Sequence, residues 1–252
     1  MGDSIKYLNA GESLDDLILG NFKIIQPVHG YRFSLDAVLL THFVEPSEAK
    51  HIIDIGAGNG VIPILLAALA SEPSIIGVEI QPAMVERTRR SINLNGLNHR
   101  IEIFQADIRE IDRVLAGGSA DLVLSNPPFW KMGEGHLSNN PEEANARHEL
   151  TLNLKELVDR GAYLLRQGGK MNIIQRAERL EEALEAFRCH KLFPKRLRLV
   201  HSYIDRKASL FLLEGMKNRP GRLNILAPLV IYEKPGEYTT EIKQYYGGLN
   251  ER

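Results

Sequence analysis

The chain has 252 residues, 44% of them hydrophobic and 25% charged, and a formal net charge of −1 at pH 7. That length suits one large α/β domain, or one domain with a small appendage, and the near balance of charge excludes a surface that is basic all over. The lone cysteine, Cys189, cannot form an internal disulfide, which fits a reducing compartment.

The opening stretch, MGDSIKYLNAGESLDD, lacks the basic-then-apolar pattern of a secretion signal, and Lys6 stands where a myristoylation motif needs Ser or Thr. The longest apolar run, Val61 to Ala70, is far short of a membrane span, so a cytoplasmic protein is expected. Between Leu14 and Gln26 two short apolar stretches flank Gly20-Asn21, the signature of a hairpin. Residues 1–33 are therefore expected to form an N-terminal hairpin extension to a domain spanning 34–252. Next, Ser34 is placed to cap a helix whose apolar face carries Ala37, Val38, Leu40 and Phe43. This helix would set Tyr31, Arg32, Phe33 and Asp36 near the mouth of the glycine turn that follows. Arg32 and Asp36 are the better candidates for a ligand's polar groups, since Tyr31 and Phe33 could equally serve as core packing.

The run from Lys50 to Ala70, KHIIDIGAGNGVIPILLAALA, joins an apolar strand to an apolar helix through Gly56, Gly58 and Gly60. Glycine permits positive φ and a close ligand approach, so the turn reads as a cradle. A dinucleotide site would show G-x-G-x-x-G and no carboxylate beside the phosphates. Here the glycines alternate and Asp54 precedes them. A carboxylate there suits a ligand with a cationic amino-acid head and no phosphate, which describes S-adenosylmethionine. The D-x-G-x-G-x-G run resembles the first motif of Rossmann-like methyltransferases; an ordinary strand-turn-helix is the plainer alternative.

A second strand, SIIGVEI, ends at Glu79, one βαβ unit further on and placed to accept from both ribose hydroxyls. Pro82 to Leu94 reads as a helix stopped by Asn95-Gly96. A third strand, IEIFQAD, ends in Asp107, suited to an adenine amine. Three successive strands thus end in carboxylates, at the edge where such folds bind ligands.

The fourth strand, DLVLSNPPFW, carries the expected chemistry. Two prolines end its ladder and hold the preceding backbone extended. Asn126 offers a side-chain carbonyl and Pro127 a backbone carbonyl, and Pro128 stiffens the turn. Two acceptors gripping the hydrogens of a planar amine favour the electron-rich nitrogen of the transition state. Phe129, or Trp130 beside it, can stack on the substrate's flat face. N-P-P-F resembles the catalytic motif of methyltransferases acting on exocyclic amines of nucleic-acid bases or on the glutamine amide of a protein.

Lys131 to Asn145 is polar and reads as a lid or substrate loop; a helix from Arg147 to Arg166 follows, with His148 structural at its start. The remaining strands and helix, KMNIIQ, Leu180 to His190, RLRLVHSY and SLFLLEGMK, complete a sheet with an antiparallel end, and the chain closes as a short strand and an aromatic, polar tail. No His or Cys pair has metal-ligand spacing, and no metal is expected. From Lys191 to Arg222 nine basic residues (Lys191, Lys195, Arg196, Arg198, Arg206, Lys207, Lys217, Arg219, Arg222) face two acids, a candidate stripe for a phosphate backbone or else solvated strand faces.

Taken together, GYRFSLDAVLL, DIGAGNG, SNPPFW, RHE, RKASLFLLEGMKN, LNILAPLVIY and GEYTTEI resemble the bacterial family of tRNA1(Val) adenine-N6 methyltransferases over nearly the whole chain. The resemblance implies a Rossmann-like class I fold, with a seven-stranded, mostly parallel sheet ending antiparallel. It implies S-adenosylmethionine as donor, and adenine 37 of valine tRNA as substrate. It assigns cofactor contact to Asp54, Gly56, Gly58, Glu79 and Asp107, and amine binding to Asn126, Pro127 and Phe129. Phe129 departs from the Tyr found in many members. A cytoplasmic, metal-free monomer working on an RNA loop is expected; relatives of this architecture act instead on ribosomal RNA, DNA or protein glutamine.

Overall fold

The computed structural model describes residues 5–17, 19–29, 32, 34–127 and 153–247. Strands β1 (Glu12–Asp16) and β2 (Lys23–Pro27) form the expected antiparallel hairpin, turning at Gly20 and Asn21, both at positive φ. The hairpin is no loose arm. Ile24 and Ile25 are fully buried, and the backbone of Ile25 donates to Ser91 Oγ of helix α3 (Pro82–Leu94) at 3.0 Å.

Five strands run parallel: β3 (His51–Ile55), β4 (Ser74–Glu79), β5 (Ile101–Gln105), β6 (Ala120–Ser125) and β7 (Leu165–Arg176). Their Ile, Val and Leu runs are buried on both faces, as a covered parallel sheet requires. Strand β9 (Ala208–Lys217) pairs antiparallel with both β7 and β8 (Leu192–His201), so β8 points the same way as the parallel five. The order β8-β9-β7-β6-β3-β4-β5 gives the expected seven strands. Two short additions, β10 (Asn224–Ile225) and β11 (Leu229–Val230), pair along the free edge of β8.

Helices α1 (Leu35–Phe43), α2 (Val61–Leu69) and α3 cover one face, sharing a core with Ile52, Leu122, Leu124 and Ile174. Helices α4 (Leu154–Leu164) and α5 (Leu180–Cys189) cover the other, against Ile53, Val123, Ile173 and Phe211. This is a three-layer α/β sandwich. Among the described residues no helix is long and apolar enough to cross a membrane.

Three local expectations need correction. Ser34 stands at the N-cap position of α1, but its hydroxyl donates to Asp36 Oδ2 at 2.8 Å and caps no backbone amide. Helix α4 ends at Leu164, short of Arg166, because β7 takes over at Leu165; its described start is a capping box between Asn153 and Glu156. The C-terminal segment is a hairpin, β12 (Tyr232–Lys234) with β13 (Glu237–Tyr238), followed by helix α6 (Thr240–Tyr245). Ile242 of α6 is fully buried and the Tyr245 ring stacks on His42 at 4.3 Å, so apolar groups scattered through a polar sequence dock the segment on the core.

Candidate active site

The cradle is built by clamping the glycine turn from two sides. Backbone amides of Gly56 and Ala57 both donate to Val78 O, at 2.8 and 3.0 Å, which ties the turn to β4. From α3, Thr88 Oγ1 donates to Gly58 O at 2.9 Å. Gly60 sits at φ 83°, and a Cβ there would meet Thr88 Cγ2 at 2.5 Å, so helix and turn touch where no side chain fits. Gly56 is also left-handed, at φ 78°, but a Cβ on it would meet nothing within 4 Å. The turn borders a cleft whose walls include Ala37 of α1, Gly56 and Gly58, Ile62 of α2, and Asn126 just beyond β6.

The strand-end acids have three different environments. Asp54 is wholly buried and neither carboxylate oxygen has a hydrogen-bond partner; burial, reinforced by the charge of Glu79, pushes its carboxyl up to about 8. Such a group is costly to ionise until a cation arrives. Glu79, also buried, accepts from the amides of Gly58 and Gln81, each at 2.9 Å, and is thereby oriented rather than orphaned. Asp107 caps the short helix Ile108–Arg113 by accepting from Arg109 N, and the Arg109 side chain grips it at 2.5 Å, holding its carboxyl below the usual range. The sequence placed a bare acceptor at Asp107; the structure puts a guanidinium on it.

At the tip of β6, Ser125 Oγ donates to Ile55 O at 2.8 Å, pinning this strand to β3 just before Asn126. The expected pair of Asn126 and the glycine turn is thus brought to one cleft. Asp36 is half-buried, and burial raises its carboxyl against the opposing bond from Ser34. Arg32 already has partners within the hairpin. Its guanidinium donates to Ser13 Oγ at 2.9 Å, to Pro27 O at 3.0 Å and to Asp15, so the hairpin's own carboxylate has claimed it. Tyr31, Phe33, Pro128, Phe129, Trp130 and His148 lie outside the described residues.

Sequence reasoning missed Arg87 and Asn59. Arg87 is buried on α3, with Nη1 2.9 Å from Asn59 Oδ1 in the turn and Nε 3.1 Å from Glu12 Oε1 in the hairpin. The signal available was positional: Arg87 shares a helix face with Met84 and Ser91, both buried.

The basic stripe does not form one surface. Arg196 is spent on Glu45 at 2.6 Å and on Phe43 O, Arg198 on Glu241 at 2.6 Å, and Lys217 on Leu165 O at 2.7 Å. Because β8 and β9 form a hairpin, Lys191, Lys217, Arg219 and Arg222 gather at the rim where the parallel strands begin, whereas Arg206 and Lys207 lie at the rim where they end.

The family model for the methyltransferase small domain matches residues 35–195. The chain belongs to that family. Among curated proteins, this methyltransferase is 29% identical over 231 residues to the tRNA1(Val) (adenine(37)-N6)-methyltransferase of Porphyromonas gingivalis, covering 87% of this chain and 89% of the other. Among solved structures, it superposes with TM-score 0.68 and 23% identity on a "predicted O-methyltransferase" of Agrobacterium tumefaciens, covering 84% and 96% of the two chains. A geranyl diphosphate C-methyltransferase of Streptomyces coelicolor, solved with S-adenosyl-L-homocysteine, aligns with TM-score 0.52 and 12% identity over 72% of this chain and 74% of that one. These neighbours share the Rossmann-like class I methyltransferase fold.

Proposed function

We propose that this methyltransferase uses S-adenosylmethionine to methylate N6 of an adenine in RNA, adenine 37 of valine tRNA in particular. The observation that carries the reading is Asn126 at the tip of β6, on one cleft with the glycine turn, in a chain that aligns over 87% of its length with a methyltransferase of that name.

The residues present fit the donor. Asp54, buried and unpartnered, suits a cationic amino-acid head; Glu79 is held where it can accept from a ribose diol; Gly56 leaves room where a Cβ would stand. When bound, S-adenosylmethionine supplies an activated methyl on a positively charged sulfur. The protein's share of the reaction is orientation and charge. Asn126 Oδ1 and the carbonyl of Pro127 would accept from the two amine hydrogens of the substrate and raise electron density on its nitrogen as it takes the methyl, the electron pair of the broken carbon–sulfur bond staying on the sulfur. Neither acceptor takes a proton outright; the proton lost from the alkylated nitrogen passes to water. Asp107, bridged to Arg109, would receive the adenine amine of the donor.

The test is labelled methyl transfer into tRNA stripped of its modifications, with and without prior RNase digestion, followed by nucleoside mass spectrometry. N6-methyladenosine at the anticodon-adjacent position, absent after RNase, is expected. RNase-insensitive label would overturn the reading in favour of glutamine N5-methylation on a protein.

A further inference from the structure

We infer that the turn joining β8 to β9, Tyr203 to Lys207, is the surface that grips the RNA on one side of the target base. The inference rests on the RNA reading above and names the contact that reading lacks once the basic stripe is divided.

Four observations support it. The turn lies at the rim where the parallel strands end, the same rim as Asn126 and the glycine turn. Three strand spacings separate β8 from β6 in the sheet order, about 14 Å across, and the registers set Ser125 level with Leu197, so the turn also stands roughly 20 Å further along β8; phosphates about four nucleotides from a base held at Asn126 reach it. Its chemistry suits a nucleic-acid strand. Arg206 has a side chain 72% exposed, with Asp205 at 3.9 Å its only ion-pair partner among the described residues, and Lys207 is exposed with no partner among them. Ile204, 74% exposed, is an apolar side chain presented to solvent between them and Tyr203, where it can lie against a ribose or base face.

The turn is also braced. Arg206 N donates to Tyr203 O at 3.0 Å, and the His201 ring bonds Arg206 O at 2.6 Å. Beneath it, Tyr203, Tyr232, Tyr238 and Tyr246 follow one another with centroids 5.6, 5.2 and 6.0 Å apart. A charged tip on a fixed base costs little to order when a strand binds it. By contrast, Lys191, Arg219 and Arg222 lie toward the opposite rim, roughly 33 Å from the turn along ten-residue strands and behind the level at which β6 delivers Asn126.

The experiment compares two charge reversals in the full chain: Arg206→Glu with Lys207→Glu at the proposed contact, and Lys191→Glu with Arg222→Glu at the opposite rim. For the first pair, KM for valine tRNA is expected to rise on the order of tenfold. The salt dependence of RNA binding should fall by about 1.4 in log–log slope, near 0.7 for each phosphate lost. Turnover at saturating tRNA, S-adenosylhomocysteine affinity by calorimetry, and melting temperature should match the parent. The opposite-rim pair should leave KM for tRNA unchanged. Equal KM values for the parent and the Arg206/Lys207 variant, or equal losses from both variants, overturn the inference while the RNA reading stands. A parent protein that labels no RNA overturns the RNA reading itself and the inference with it.

Discussion

Arg87 Nη1 donates to Asn59 Oδ1 at 2.9 Å, so a residue of α3 fixes the side chain in the middle of the glycine turn while its Nε reaches Glu12 of the hairpin. Hairpin, helix and cradle are therefore one connected unit. Replacing Arg87 with Leu removes both bonds and should destabilise the fold by about 1.5–3 kcal/mol. The freed turn should bind donor more weakly, with a smaller effect on turnover once donor saturates. Urea denaturation and calorimetric titration with S-adenosylhomocysteine measure the two effects separately.

Asp54 has its carboxyl raised from an ordinary 3.8 to about 8 by burial and by Glu79. A folded value above the unfolded one stabilises the ligand-free protein fully at low pH, and that contribution is lost as pH climbs toward 8. Asp54→Asn, neutral throughout, should melt higher than the parent at pH 8.5, with the gap closing toward pH 5. The same change should weaken donor binding roughly 10- to 100-fold, the worth of one charge-assisted bond. In the parent, binding below pH 8 should release a proton, visible as a heat that varies with buffer ionisation enthalpy.

Glu12 shows the opposite sign. The Arg90 side chain, helped by Asn9 N and Arg87 and opposed by burial, holds its carboxyl down at about 2 from an ordinary 4.5. Its stabilisation is present above pH 4.5 and disappears as pH falls toward 2. Glu12→Gln should cost up to about 3 kcal/mol at pH 7, the equivalent of that shift, and almost nothing near pH 2. Urea midpoints at the two pH values check this.

Gly60 and Gly56 should separate stability from binding. Alanine at either pays the left-handed backbone cost of about 1–2 kcal/mol. At Gly60 the new Cβ also strikes Thr88 at 2.5 Å, whereas at Gly56 it meets no protein atom within 4 Å. Gly60→Ala should thus lower the melting temperature more than Gly56→Ala. Gly56→Ala should fold and yet lose donor binding, because its methyl stands in the cleft.

The parallel core and the hairpin were legible because their signals are local: apolar strands of fixed length, glycine and Asn-Gly punctuation, and acids at strand ends. The pairing of Asn126 with the glycine turn followed from topology, since adjacent strands β3 and β6 end together. What failed depends on partners distant in sequence. Arg32 looked free for a ligand until Asp15 folded back beside it. Arg196 and Arg198 looked like part of a basic face until Glu45 and Glu241 met them. Alternation along the hairpin and its reversal at Tyr203 then sent neighbouring charges to opposite rims. The C-terminal helix was hidden because one buried Ile242 and a few tyrosines, spread among polar residues, give no run that a pattern can detect.

The sheet keeps its reactive groups on a single rim, which leaves the other rim at liberty to change. The turn Gly117–Ser119 is exposed and enters β6, whose six residues carry the chain roughly 20 Å before Asn126 is reached. A guest domain spliced into that turn should leave catalysis intact.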